Sequence, residues 1–330
     1  MINTKITKLL GIQYPIICGA MMWLGVPKFV AAVNEAGGIG TLTAAIYPTE
    51  KEFRAAIHRT RELTDKPFLV GVTILPSMSI TGDHYKMYLR VCAEEAVHGI
   101  EVSGAPIDTA CGPEYITTLK NAGVILFQKV GSLRHALHVQ KVGYDGVYAA
   151  GIEEGGHPLD DDVSTMILTP KLSRELDIAV VTTGGIADGN TLAAALALGA
   201  DGVMMASRFM ATKECLIHDR IKQALIEAQE TDTKIAGKSL RLQFRALNND
   251  LLKEIVATEK SGGGLEEMLP LLSGQRAKEA YITGEHETGL FTVGQSIGLI
   301  DDVPTIAELL SSMVRGAKLR LESVSNALGT

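Results

Sequence analysis

The chain has 330 residues, of which 46% are hydrophobic, 21% charged and 5% aromatic. That composition fits a globular protein burying roughly three quarters of its unfolded surface and excludes disordered and fibrous classes. With 31 Lys+Arg against 38 Asp+Glu, a net charge of −7 and no basic run to neutralise phosphates, nucleic acid is not an expected partner. No uncharged stretch approaches the roughly 20 residues of a membrane span, and no apolar signal core opens the sequence, so a cytoplasmic protein with no membrane partner is expected. Cys18, Cys92, Cys111 and Cys215 are widely separated and lack zinc spacing, so reduced thiols and no metal are expected.

Taken in chain order, short β-rich runs recur at 15–18, 39–42, 68–73, 99–102, 124–129, 146–149, 178–182 and 202–205. Between them lie segments of helical period, among them 27–36 before the Gly37-Gly38 stop, 50–64, and 190–198 before Gly199. Fully apolar strands such as Ile178-Ala179-Val180-Val181 belong to a parallel sheet covered on both faces. Eight such units in about 205 residues fit an α/β fold, a (β/α)8 barrel, because eight strands close on themselves. After the eighth strand the pattern turns polar and helix-prone. We expect a small helical insert at 213–283 that lids the barrel, with 1–212 and 284–330 forming the barrel itself and 305–321 an amphipathic helix returning to it.

In such barrels the chemistry sits at the C-terminal ends of the strands. Thr183-Gly184-Gly185 follows the seventh strand and precedes a helix, where exposed backbone amides and the helix N-terminus suit a phosphate. Met205-Ala206-Ser207 follows the eighth strand and offers a hydroxyl to the same group. Tight packing alone would also explain one Gly-Gly turn; two cradles in consecutive units favour phosphate. After the sixth strand come Gly155, Gly156 and His157, a side chain able to exchange a proton near neutral pH. The other histidines, such as His58, His84, His135 and His138, sit in helix-like or polar contexts, and the run Asp160-Asp161-Asp162 reads as a solvated turn or cap. Lys129 ends the fifth strand, Thr73 the third, and Met21 and Met22 follow the first, where apolar side chains suit the face of a flat ring as well as a core. A phosphorylated planar cofactor, FMN or pyridoxal phosphate, fits this set; Lys129 is the one strand-end lysine for a Schiff base, which favours FMN.

These residues resemble the nitronate monooxygenase (2-nitropropane dioxygenase) family of FMN flavoproteins, a group that also holds NADH:quinone reductases and FMN-dependent enoyl-thioester reductases. The resemblance runs nearly end to end through YPIICGAMMWLG, NEAGGIGTL, LTDKPFLVGVTILP, EEGGHPLDDD, TTGGIADG, ASRF, LLSGQ and GQSIGLIDD. It implies FMN contacts at Met21, Met22, Thr73, Lys129, Gly155, Gly156, Thr183, Gly184, Gly185, Met205, Ala206 and Ser207, and a catalytic or substrate-contacting role for His157. The chain departs from the family pattern at Cys18, in the segment around Gly71, and in ASRF where GTRF is usual, which keeps the Ser207 hydroxyl. The implied activity is oxidation of alkyl nitronates, such as propionate 3-nitronate, with O2 to a carbonyl and nitrite. Ranked behind it are an NAD(P)H:quinone oxidoreductase, whose nicotinamide would be covered by the 76–84 loop and the insert, and then an enoyl-thioester reductase. Either a monomer or a homodimer is expected.

Overall fold

In the computed structural model, residues 2–75, 80–240 and 243–329 are described; the first four residues of the 76–84 loop lie outside them. Eight strands close into one parallel barrel in chain order: β1 (Ile16–Cys18), β2 (Ile39–Thr43), β3 (Leu69–Ile74), β4 (Gly99–Gly104), β5 (Ile125–Val130), β6 (Gly146–Ala150), β7 (Ala179–Thr183) and β8 (Gly202–Met205). The expected (β/α)8 barrel is the observed fold, and each expected strand lies within two residues of an observed one. The strands are buried along nearly their whole length, which is why they read as apolar runs rather than as alternating ones. Helices between them begin at capping residues or proline. Thr49 caps the helix Glu50–Leu63 through a box with Glu52, and Pro27 opens the helix Pro27–Glu35.

One line of register runs Thr43, Gly71, Glu101, Phe127, Gly146 across β2 to β6. Because side chains alternate along a strand, this line and its i±2 neighbours face one side together. Ile17, Ile39, Leu69, Phe127, Tyr148, Ala179, Val181 and Met204 form one core cluster, joined by Ile6 and Leu10 of the N-terminal helix Lys5–Leu10. Phe127 and Tyr148 stack within it with ring centroids 5.3 Å apart.

The chain divides into two compact units. The first comprises Met1–Ala149, Met166–Thr182 and Ala194–Met204; the second comprises Ala150–Thr165, Thr183–Ala193 and Met205–Thr330. The second unit holds the whole of 213–283. Besides the expected helices, this stretch contains an antiparallel pair, β9 (Thr233–Ala236) and β10 (Phe244–Leu247). Ala236, Phe244 and Ala246 pack with Leu251, Leu252 and Ile255 of the helix Asp250–Lys260 and with Met268 and Leu271, a small core of their own. The closing helix, Ile306–Leu328, is capped by a Thr305/Glu308 box and is longer than the sequence period indicates.

All four cysteines are buried and none forms a disulfide: Cys18, Cys92 and Cys111 lie in the first unit and Cys215 in the second. Burial pushes the Cys92 and Cys111 thiols up, and that of Cys215 to about 12. Among the described residues, no group of three His, Cys, Asp or Glu could hold a metal ion, and no helix is long and apolar enough to cross a membrane.

Candidate active site

In the first unit, the loop after β1 folds tightly. The Met21 carbonyl accepts from the Leu24 and Gly25 amides (3.1 and 2.9 Å) and from the Thr43 hydroxyl (3.0 Å). Met21 is buried, Met22 is exposed, and Trp23 adopts a φ of +67°, a conformation that costs a bulky residue energy and is found at sites where loop shape matters. Ala20 lies so close to β3 that a Cβ on Gly71 would stand 2.4 Å from the Ala20 methyl. The Ala20 amide donates to Glu101 Oε1 (3.3 Å) and the Thr41 hydroxyl to Oε2 (3.2 Å), so a buried carboxyl group on β4 ties the loop to β2.

Lys129 is buried on β5, in register with Tyr148 of β6, and Thr73 is half-buried near the end of β3. Burial, reinforced by the charge of Glu101, holds the Tyr148 phenol well above its ordinary range. Reasoning from the sequence missed Glu101. Its signal is one acidic residue in the otherwise uncharged strand Gly-Ile-Glu-Val-Ser-Gly, where a solvent-facing reading does not fit a parallel barrel strand.

In the second unit lie Gly155, Gly156, His157, Thr183, Gly184, Gly185, Met205, Ala206 and Ser207, and the loops bearing Gly155, Thr183 to Gly185, and Ser207 are tied to one another. The Gly151 amide donates to the Thr183 carbonyl (3.0 Å), the Thr165 hydroxyl to the Gly184 carbonyl (3.1 Å), and the Glu153 carboxylate accepts from the Thr165 amide and hydroxyl. Ser207, itself buried, accepts from the Gly294 amide (3.0 Å), which leaves its own proton for an acceptor. The Gln295 amide donates to the Glu153 carbonyl (2.9 Å), and a Cβ on Gly155 would lie 2.5 Å from the Val293 carbonyl carbon. Residues 293–295 thus touch both the Ser207 turn and the 153–155 loop. The sequence motif GQSIG was visible, but its part in the site was not, because it acts through backbone contacts.

Gly184 and Gly185 both have positive φ (+92° and +76°). An added Cβ would meet open space at Gly156 and nothing nearer than 3.9 Å at Gly185. The Gly156 amide is taken by the Arg245 carbonyl (3.1 Å), so the open Gly185 turn and the Ser207 hydroxyl form the donor set that chemically suits a phosphate. Asp188 is not part of it. Its carboxylate caps the helix Gly189–Ala197 by accepting from the Thr191 amide (2.8 Å).

His157 is exposed, between Gly156 and buried Pro158. Asp160, Asp161 and Asp162 are exposed, and Asp162 faces Lys238 at 3.6 Å. His58 and His138 pair with Glu95 and Asp108. Arg245 is buried, and its guanidinium is pushed down by that burial, against the opposing charges of Glu153 and Asp162. Arg208 is also buried and pairs with Asp302, which fixes the segment leading to the last helix.

A closed eight-stranded parallel barrel is a scaffold on which enzymes carry their reactive groups at the strand-end loops. Residues 3–316 match the model of a family described as nitronate monooxygenase. A dehydrogenase of Rhodococcus jostii (strain RHA1), named for (3aS,4S,5R,7aS)-5-hydroxy-7a-methyl-1-oxo-octahydro-1H-indene-4-carboxyl-CoA, is 32% identical over 98% of each chain. A nitronate monooxygenase of Paraburkholderia phytofirmans is 30% identical, covering 96% of this chain and 95% of the relative. The structure of FabK from Thermotoga maritima superposes with a TM-score of 0.89 at 34% identity, over 99% of this chain and all of that one. The chain belongs to the nitronate monooxygenase family and is an oxidoreductase.

Proposed function

We propose that the protein is an FMN-dependent nitronate monooxygenase oxidising alkyl nitronates, such as propionate 3-nitronate, with O2 to a carbonyl compound and nitrite. The family match across residues 3–316 carries this reading. It is supported by the donor set of the second unit, where open glycine backbone and the Ser207 hydroxyl suit the phosphate of FMN. When bound, FMN supplies the electron-accepting chemistry that nitronate oxidation requires.

The chain's own residues supply the rest. Gly155, Gly156, Thr183, Gly184, Gly185, Met205, Ala206 and Ser207 hold the phosphate end. Met21 and Met22 offer apolar surface to the ring, Thr73 offers a hydroxyl, and Lys129 offers a cation against negative charge on the cofactor. His157 hydrogen-bonds the nitronate oxygens, or takes the α-proton when the neutral nitroalkane is the substrate.

A second reading, oxidoreduction of a coenzyme A thioester, is favoured by the full-length match to the Rhodococcus relative, whose name carries such a substrate. Anaerobic absorbance titration of the yellow protein with propionate 3-nitronate, NADH, NADPH and an acyl-CoA separates these. Bleaching by the nitronate alone is expected. Bleaching by a nicotinamide moves the protein to the quinone or enoyl reductase reading, and bleaching by the thioester alone to dehydrogenation. His157→Ala should retain flavin and lose about a hundredfold or more in nitronate turnover; an unchanged rate would remove His157 from the chemistry.

A further inference from the structure

His157 is bracketed from one side of the β9–β10 pair. The amide and carbonyl of Gly156 pair with the carbonyl and amide of Arg245 (3.1 and 2.7 Å), as an isolated antiparallel bridge. On the other side of His157, Gln243 Nε2 donates to the Pro158 carbonyl (2.9 Å). The Arg245 side chain then reaches the start of the same loop. Its Nε and Nη2 donate to the Ile152 carbonyl (3.2 and 3.1 Å), while Nη1 donates to the Thr233 hydroxyl on β9 (3.0 Å).

These two polar side chains are 93% buried. Their neighbours Phe244 and Ala246 face the opposite way, into the small apolar core that holds β9 and β10 to the helix Asp250–Lys260. The packing of the strand pair is therefore served by the other face. An amide and a guanidinium are costly to bury, and here the Gln243 side chain donates to Pro158 and two of the Arg245 donors to Ile152, all on the loop carrying His157. A planar fork donating to one carbonyl while its own backbone pairs four residues further along makes a strut that a single-point ammonium cannot reproduce.

We propose that Gln243 and Arg245 are positioning residues for His157, so that the β9–β10 pair of the insert sets where the imidazole stands for the reaction. The inference rests on the proposed role of His157 in meeting the substrate. A misplacement of about 1 Å in such a group costs up to roughly a hundredfold in rate.

The test uses the flavin-loaded enzyme labelled with 15N-histidine, with the His157 resonances assigned by their loss in His157→Ala. At one fixed pH, Arg245→Met and Gln243→Leu should shift those resonances and lower kcat about tenfold or more, with KM within about threefold. Arg245→Lys should fall between Arg245→Met and the parent, and Lys234→Ala, an exposed change on β9, should leave the resonances in place. Gln243→Leu removes one bond and adds apolar surface, so it reads the proposal even if Arg245→Met does not fold. Folded variants at both positions with unmoved His157 resonances and unchanged kcat would overturn it. If His157→Ala turns over nitronate at the parent rate, the catalytic reading falls, while the resonance shifts still decide whether the strut positions the ring.

Discussion

The two units hold their candidate residues by different means. In the first, a side chain rooted in the sheet does the holding: Glu101 on β4 takes the Ala20 amide and the Thr41 hydroxyl, and the loop bearing Met21 and Met22 closes on it. In the second, the holding is largely main chain to main chain, through glycines that let backbones meet, as at Gly155 against Val293 and Gly294 against Glu153. A buried side-chain acceptor can be lost by one substitution without altering any backbone. A glycine contact fails in the opposite way, when a single carbon is added. The first unit should be sensitive to loss of a polar group, and the second to gain of a methyl.

The largest effect expected from this contrast is at Glu101. Glu101→Leu removes the acceptor from the buried Thr41 hydroxyl and the half-buried Ala20 amide and should cost about 3 kcal/mol, read as a lower urea midpoint, while Glu101→Gln should recover part of it. A neutral Glu101→Leu would erase the distinction for the first unit.

Next comes Gly184→Ala. With φ at +92° and the new carbon 3.0 Å from the Glu154 amide nitrogen, it should cost roughly 1–2 kcal/mol in thermal unfolding and weaken FMN binding in a fluorescence titration. Unchanged stability and affinity would mean that the second unit does not depend on its glycines.

The smallest effect belongs to the exposed network on the helices Glu50–Leu63 and Gly82–Glu94, which involves neither site. Hydrogen bonds from Arg90 and then Arg54 bring the Glu50 carboxyl down from 4.5 to about 2. A depressed carboxyl contributes its stability above the ordinary value and loses it as pH falls through the folded one, so the contribution is present above 4.5 and fades towards 2. Glu50→Gln should flatten the acid unfolding curve slightly in that window, and the difference should vanish in about 1 M salt.

The barrel was legible because burial on both faces writes itself as uninterrupted apolar runs such as Ile178-Ala179-Val180-Val181, and eight of them leave few ways to close. His157 and the glycine turns were legible by position at strand ends. The β9–β10 pair was not: each strand has four residues and carries a charge, Lys234 in one and Arg245 in the other, so neither resembles the earlier strands. Arg245 and Gln243 were invisible as partners of the His157 loop for the same kind of reason, since what they recognise there is backbone, which every sequence shares. Glu101 left a signal in its own strand, but its acceptors' partners, an alanine amide and a threonine hydroxyl, carry none.

The buried thiols turn this division into something that can be counted. A buried thiol held protonated does not react with iodoacetamide, so each alkylation records an opening of the fold around it. With Cys92 and Cys111 in one unit and Cys215 in the other, the order in which mass tags accumulate under mild denaturant is an internal clock for which unit loosens first, written into the native chain without any introduced label.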